Sequence, residues 1–292
     1  HTFRPLTAMS EMKQIKRVKV CGGYLEEYKH DSKSVKGSMH FGIYHPPSDG
    51  KTKHPALFYL SGLTCSPKNC IEKGGVYEHA AKHGIIVVFP DTSPRDCEIE
   101  GDRESWDFGV AASFYVDATQ GKYGEFYNMH SYISKELPEV LKSKFDNWNG
   151  IMSITGHSMG GHGALVAYLK NPGLFRSVSA FAPICNPVSC PWGVKAFSGY
   201  LGSDKTKWAD WDATELIKKY KGVKKPILVD QGLEDGFLGK KQLLPEVFKA
   251  VCDSVGQPLV LRMHEGYDHS YYFVSSFMED HVAFHSLWLK SA

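Results

Sequence analysis

The segment that most limits how this chain can fold is Gly156-His157-Ser158-Met159-Gly160. A short β-branched run over residues 151–155 precedes it, and a helical pattern over residues 162–169 follows. A strand that turns directly into a helix around a serine holds that serine in strained backbone geometry. Small residues at both flanks leave room for the turn. The hydroxyl is pushed out above the sheet, with the helix N-terminus and its favourable dipole beneath it. Gly161 and Gly163 extend the small-residue set, as close helix–sheet packing requires. No Gly-Lys-Ser/Thr follows to make a phosphate loop, and the segment is no dinucleotide fingerprint, since G-x-G-x-x-G is absent.

The rest of the chain agrees with an α/β class. Its C-terminal two thirds alternate short β-branched runs with longer helical patterns, which reads as βαβ units on a mostly parallel sheet. Residues 15–20 and 39–44 read as early strands joined by a polar turn and running antiparallel. Further strands are expected at 55–60, 84–90, 177–181, 226–230 and 259–263. Helices are expected at 71–83 with Gly84 as the stop, at 129–145 with a kink at Pro138, at 240–255, and from about 273 to 288. Two stretches, 91–124 and 183–222, are too long to be simple connectors and read as excursions. No repeat, low-complexity tract or Gly/Ser linker divides the chain, so residues 1–292 are expected to form a single domain.

Composition narrows the function. Basic and acidic residues nearly balance, 34 against 32, which leaves no electrostatic footprint for nucleic acid. No apolar run, that at residues 85–89 included, approaches the roughly 20 residues that span a bilayer, so no membrane partner is expected. Small molecules become the default partner. Seven cysteines in a chain of this length point to a reducing compartment and mostly free thiols. The amino end lacks a charged-then-apolar leader, and Lys290-Ser291-Ala292 is no retention or peroxisomal signal.

A serine hydroxyl is a poor nucleophile at neutral pH and needs a base and an orienting acid. After an elbow of this kind they follow in the order acid, then histidine. The acid is expected just past the strand at 226–230, where Asp235 is the choice and Glu234 and Asp230 compete. Asp230 is expected to end the strand too early to reach, and Glu234 to face solvent. The base is expected after the last strand and before the final helix, which selects His269 over His264 at the strand end. His281 and His285, at helical spacing, read as a helix surface, because Val282 stands where a zinc protease needs glutamate. Two backbone amides must hold the oxyanion. Met159 supplies one, and the loop Ser61-Gly62-Leu63-Thr64-Cys65 supplies the other, from Leu63 or, failing that, Thr64.

At these residues the sequence resembles the S-formylglutathione hydrolase (esterase D) family of the α/β-hydrolase fold. The likeness covers nearly the whole chain. It is carried by Tyr59-Leu-Ser-Gly-Leu-Thr-Cys65, Gly101-Asp-Arg-Glu-Ser-Trp-Asp-Phe-Gly109, Gly156-His-Ser-Met-Gly-Gly-His-Gly-Ala164, Asp230-Gln-Gly232 with Asp235, and Glu265-Gly-Tyr-Asp-His-Ser270. The resemblance implies a mostly parallel central sheet with helices on both faces and excursions over the active site. It implies hydrolysis of the formyl thioester of glutathione to formate and glutathione, in formaldehyde detoxification, with side activity on small esters. It also implies a cytosolic homodimer that needs no cofactor. The family's nucleophile, acid and base fall on Ser158, Asp235 and His269, its oxyanion donors on Leu63 and Met159, and a cysteine near its site on Cys65. A broad carboxylesterase or an acyltransferase on the same fold is the alternative.

A one-carbon acyl group calls for a cramped pocket, for which Trp192 and Trp106, one from each excursion, are the candidates. Cys65/Cys70 and Cys185/Cys190 share a C-x₄-C spacing that can supply four zinc ligands. No histidine pair or tighter spacing supports a metal there, so none is expected, and unpaired thiols are the preferred reading.

Overall fold

The computed structural model describes residues 12–291. The chain ends read for leader and carboxyl-terminal signals, residues 1–11 and 292, lie outside them. Nine strands form one sheet among the described residues, in the spatial order β1-β2-β3-β5-β4-β6-β7-β8-β9. They are β1 Lys13–Val20, β2 Gly23–Ser32, β3 Gly37–His45, β4 His54–Leu60, β5 Ile86–Pro90, β6 Trp148–Gly156, β7 Val178–Phe181, β8 Ile227–Gly232 and β9 Leu259–His264. β1, β2, β3 and β5 pair antiparallel in that order, and every pairing from β5 through β4 to β9 is parallel. Parallel strands covered on both faces are apolar throughout, and β4 and β5 are buried at every position.

The polar turn expected between the first two strands is itself a ten-residue strand, β2. Its two glutamates are paired across the register rather than released to solvent. Arg17 stands opposite Glu26 and Lys16 opposite Glu27, and both pairs form ion pairs. Consequently β1 and β3 do not pair with one another.

Helices cover both faces. Along β6 and β7 the side chains alternate. Ser153, Thr155, Ser177 and Ser179 turn toward the C-terminal helix Tyr271–Leu289, while the helix Met159–Lys170 also packs on β4, β6 and β7. The helix expected over 71–83 is two, Pro67–Lys73 and Tyr77–His83. Gly75 separates them at φ +66°, where a Cβ would also press on Ser275. Gly84 does end the second, in the left-handed conformation. Before Pro138 the helix widens into a π turn over Tyr132–Glu136, then resumes as Leu137–Lys144. A wide turn accommodates the donor and space that proline removes, so the expected kink takes this form.

The second excursion carries helices of its own, Pro191–Leu201 and Ala213–Lys218. The helix expected over 240–255 begins only at Pro245, after a single turn at Gly236–Gly239. No helix among the described residues is long and apolar enough to cross a membrane.

Candidate active site

Ser158 has φ 59° and ψ −119°, a conformation that an L-residue adopts only under constraint. The constraint is visible atom by atom. His157 N–H donates to Leu60 O on β4, and Ser158 N–H donates to Phe181 O on β7. The flanking glycines are required for space: a Cβ on Gly156 would lie 2.2 Å from Gly160 O, and one on Gly160 2.1 Å from Leu60 O. The chain can therefore make this turn only with hydrogen at both positions.

Asp235 is buried just past β8, and its Oδ2 accepts a 2.5 Å hydrogen bond from His269 Nδ1. Gln231 Nε2 donates to the same oxygen, and Phe237 N–H donates to Oδ1, making Asp235 the cap of the short turn that follows. Burial would raise this carboxyl, but the bonds from His269, Phe237 and Gln231 hold it below the ordinary carboxylate range. The His269 ring reaches the elbow: it lies 4.6 Å from the ring of His157, the residue preceding Ser158. Among the described residues no hydrogen bond joins the Ser158 hydroxyl to His269; free enzymes commonly tighten that link only around substrate.

His157 is fully buried, and burial together with the neighbouring His269 holds it far below the usual histidine range. It therefore stays uncharged beside a ring that must accept a proton. The sequence motifs include His157 without giving it a role, and they do not include Phe237, 4.8 Å from His269 and nearly perpendicular to it. Gln231, within the Asp230-Gln-Gly232 motif, has its role from the structure alone, as a donor to Asp235. The capping geometry of Asp235, an acid two residues before Phe237, was the available signal.

The competing residues lie elsewhere. Asp230 does not end its strand, which runs on to Gly232, and its carboxylate is buried in an ion pair with Arg262 and a hydrogen bond from His281 Nε2. Glu234 is exposed. His264 stacks on Phe277 at 3.8 Å and faces Asp230. His281 and His285 correct the sequence reading: both are fully buried, not on a helix surface. His285 bridges the hydroxyls of Ser177 and Ser179, and His281 links Ser179 to Asp230.

The loop after β4 comes close to the elbow. A Cβ on Gly62 would meet Ser158 Cβ at 3.1 Å and His157 O at 3.2 Å. Thr64 N–H is engaged by Ala111 O, whereas the amides of Leu63 and Met159 donate no hydrogen bond among the described residues. Leu63, not the fallback Thr64, thus keeps a donor free. Cys65 O accepts from Thr92 and Arg95, which ties this loop to the first excursion. All seven cysteines are unpaired, and the half-buried Cys65 thiol is raised by desolvation.

The two excursion tryptophans converge on the base. Trp192, only 6% exposed, packs 4.7 Å from Phe237, and Trp106, 54% exposed, stands edge-on to Trp192 at 5.6 Å.

A mostly parallel sheet with a strained serine between β6 and its helix defines a protein of the α/β-hydrolase fold. The chain belongs to the putative esterase family, whose model matches residues 32–284. It is 51% identical over 280 residues to an S-formylglutathione hydrolase of Bos taurus, covering 96% of this chain and 99% of that one. An S-formylglutathione hydrolase of Arabidopsis thaliana is 50% identical over 283 residues, covering 96% of this chain and 99% of its own. The solved structure of an S-formylglutathione hydrolase from Agrobacterium tumefaciens superposes with a TM-score of 0.91 at 41% identity. It covers 94% of this chain and 99% of that chain.

Proposed function

We propose that this chain is a serine thioesterase that hydrolyses S-formylglutathione to glutathione and formate, with side activity on small carboxylic esters. The observation that carries the reading is the Asp235–His269 pair beside a strained Ser158, in a chain half identical to enzymes of that name. Ser158 Oγ attacks the formyl carbon while His269 Nε2 takes its proton, and Asp235 stabilises the imidazolium. The amides of Leu63 and Met159 hold the tetrahedral oxyanion. As the C–S bond breaks, the proton on His269 passes to the glutathione sulfur. Thiols ionise near pH 8.5, so this leaving group departs more easily than an alkoxide. Water then gives its proton to His269 as it attacks the formyl-serine. As the ester C–O bond breaks, His269 returns that proton to Ser158 Oγ and formate leaves.

The decisive measurement compares kcat/KM for S-formylglutathione and for an aryl acetate. At least about a tenfold advantage for the thioester, ~1.4 kcal/mol in the barrier, is expected. The reverse order makes the chain a broad carboxylesterase. Formate ester accumulating with added methanol makes it an acyltransferase.

Trp192 and Trp106 are assigned to the acyl pocket, and Cys65 to its rim beside the oxyanion loop. The run Trp106, Trp192, Phe237, His269 supports this, since it leads from solvent to the base. Trp192→Ala is expected to relax the preference for formyl over butyryl esters by about 10- to 100-fold, as differences of a few methylenes allow. Rates on formyl, acetyl and butyryl esters, with circular dichroism to verify folding, check this; an unchanged ratio removes Trp192 from the pocket. The reading extends to a one-domain protomer in a cytosolic homodimer. Unpaired cysteines and the family resemblance support it, and light scattering tests the dimer.

A further inference from the structure

A glutathione thioester carries two carboxylates, so its recognition calls for a cation within reach of the reacting sulfur. Two of the cations around the site are engaged within the protein. Arg95 binds Asp91 and the carbonyl of Cys65, and Lys195 binds Asp107. Lys73 differs. It is exposed in the last turn of the helix Pro67–Lys73, and it forms no ion pair among the described residues.

Lys73 borders a cavity of about 510 Å³ whose other walls are Ser270, Tyr271, Tyr272 and Ser275. Ser270 and Tyr271 directly follow His269, and the Tyr271 ring lies 5.3 Å from that of His157. On the other side Tyr271 Oη lies 3.5 Å from Cys70 Sγ, which accepts from Ser61 Oγ at the start of the oxyanion loop. Tyr271 and Lys73 both act on the Cys65 thiol, easing the rise that burial imposes on it. Tyr272, 85% exposed, lines the open side of the same cavity and leaves its ring face available there. One cation, two serine hydroxyls and two tyrosine rings therefore meet between the start of the C-terminal helix, just past the base, and the end of the helix that follows the oxyanion loop.

We infer that this cavity is the leaving-group subsite, in which Lys73 pairs with the glycyl carboxylate of the glutathione moiety and Tyr272 covers the peptide. The inference rests on the thioesterase reading above and deepens it. That carboxylate stands about 7 Å from the sulfur, two residues at ~3.5 Å each. The γ-glutamyl end is longer and carries its own ammonium beside its carboxylate, so a lone lysine suits the glycyl end better.

The test uses Lys73→Met, Lys73→Arg and, as a control on the opposing aromatic wall, Lys240→Met, whose ammonium stands over Phe237. Substrates are S-formylglutathione, its glycyl ethyl ester and a neutral aryl formate. Lys73→Met is expected to raise KM for S-formylglutathione about fivefold, the size of a partly exposed ion pair. The loss shrinks at high salt and is restored by Lys73→Arg. Wild-type enzyme is expected to lose the same factor on the ethyl ester, to which Lys73→Met then adds nothing.

Equal losses on the thioester and its ethyl ester, or a carboxylate-dependent loss in Lys240→Met alone, would overturn the assignment. Inhibition of aryl formate hydrolysis by glutathione gives a readout independent of thioester turnover. If wild-type enzyme does not favour the thioester, the thioesterase reading fails. A fivefold weaker inhibition in Lys73→Met would still locate the carboxylate site, and unchanged inhibition would remove it.

Discussion

Ser158→Ala is expected to lower kcat/KM for S-formylglutathione by about 10⁴- to 10⁶-fold, with KM little changed. The substitution deletes the atom that forms the covalent bond and leaves the rest of the elbow in place. The backbone bonds from Ser158 to Phe181 and from His157 to Leu60 do not involve the hydroxyl, so the turn persists. Alanine inherits the unfavourable φ of 59° at no worse steric terms than serine. The melting temperature should therefore move little while the rate collapses toward what amides and binding alone provide. Steady-state rates and a fluorophosphonate label on intact protein check the two halves of this claim. A variant keeping near-normal hydrolysis, or wild-type protein labelled elsewhere than Ser158, would refute it.

The elbow was legible because its glycines answer to space rather than to taste in composition. Two Cβ atoms cannot exist within 2.2 Å of backbone oxygens, so Gly156 and Gly160 are visible in the sequence as necessities. Asp235 and His269 were legible for a related reason: each follows a parallel strand at the edge where loops can reach the serine. The polar positions inside the molecule were not. Ser153, Thr155, Ser177 and Ser179 lie on buried strand faces, and their hydroxyls need partners. His281 and His285 supply them, which turns a polar helix stripe inward although periodicity assigns such a stripe to solvent. β2 was missed for the mirror-image reason, since its two glutamates are neutralised by β1 and only the pairing reveals a strand. Periodicity reads the faces of elements that pack on apolar neighbours; it fails where polar side chains are each other's environment.

Asp235→Asn is expected to cost about 10⁴-fold in kcat, the loss associated with a misoriented base. The carboxylate makes three bonds at once: Oδ1 accepts from Phe237 N–H, and Oδ2 accepts from both His269 Nδ1 and Gln231 Nε2. Asparagine has one acceptor oxygen. Kept on the Phe237 amide, where it caps the turn, it sets its own NH₂ against His269 and Gln231. His269 must then accept at Nδ1 and carry its proton on Nε2, the nitrogen that has to be free to deprotonate Ser158. The substitution also changes the response to acid. Burial raises the Asp235 carboxyl and its hydrogen bonds more than offset this, so its folded value lies below the unfolded one of about 3.9. A lowered carboxyl contributes stability that is fully present above the unfolded value. That contribution is lost as pH falls from there through the folded value. Wild-type melting temperature should accordingly fall on acidification through that window, and the Asp235→Asn variant, less stable at pH 7, should fall less steeply. Parallel slopes would mean the carboxylate is not held charged by the fold. A kcat within tenfold of wild type would mean that it does not orient the base.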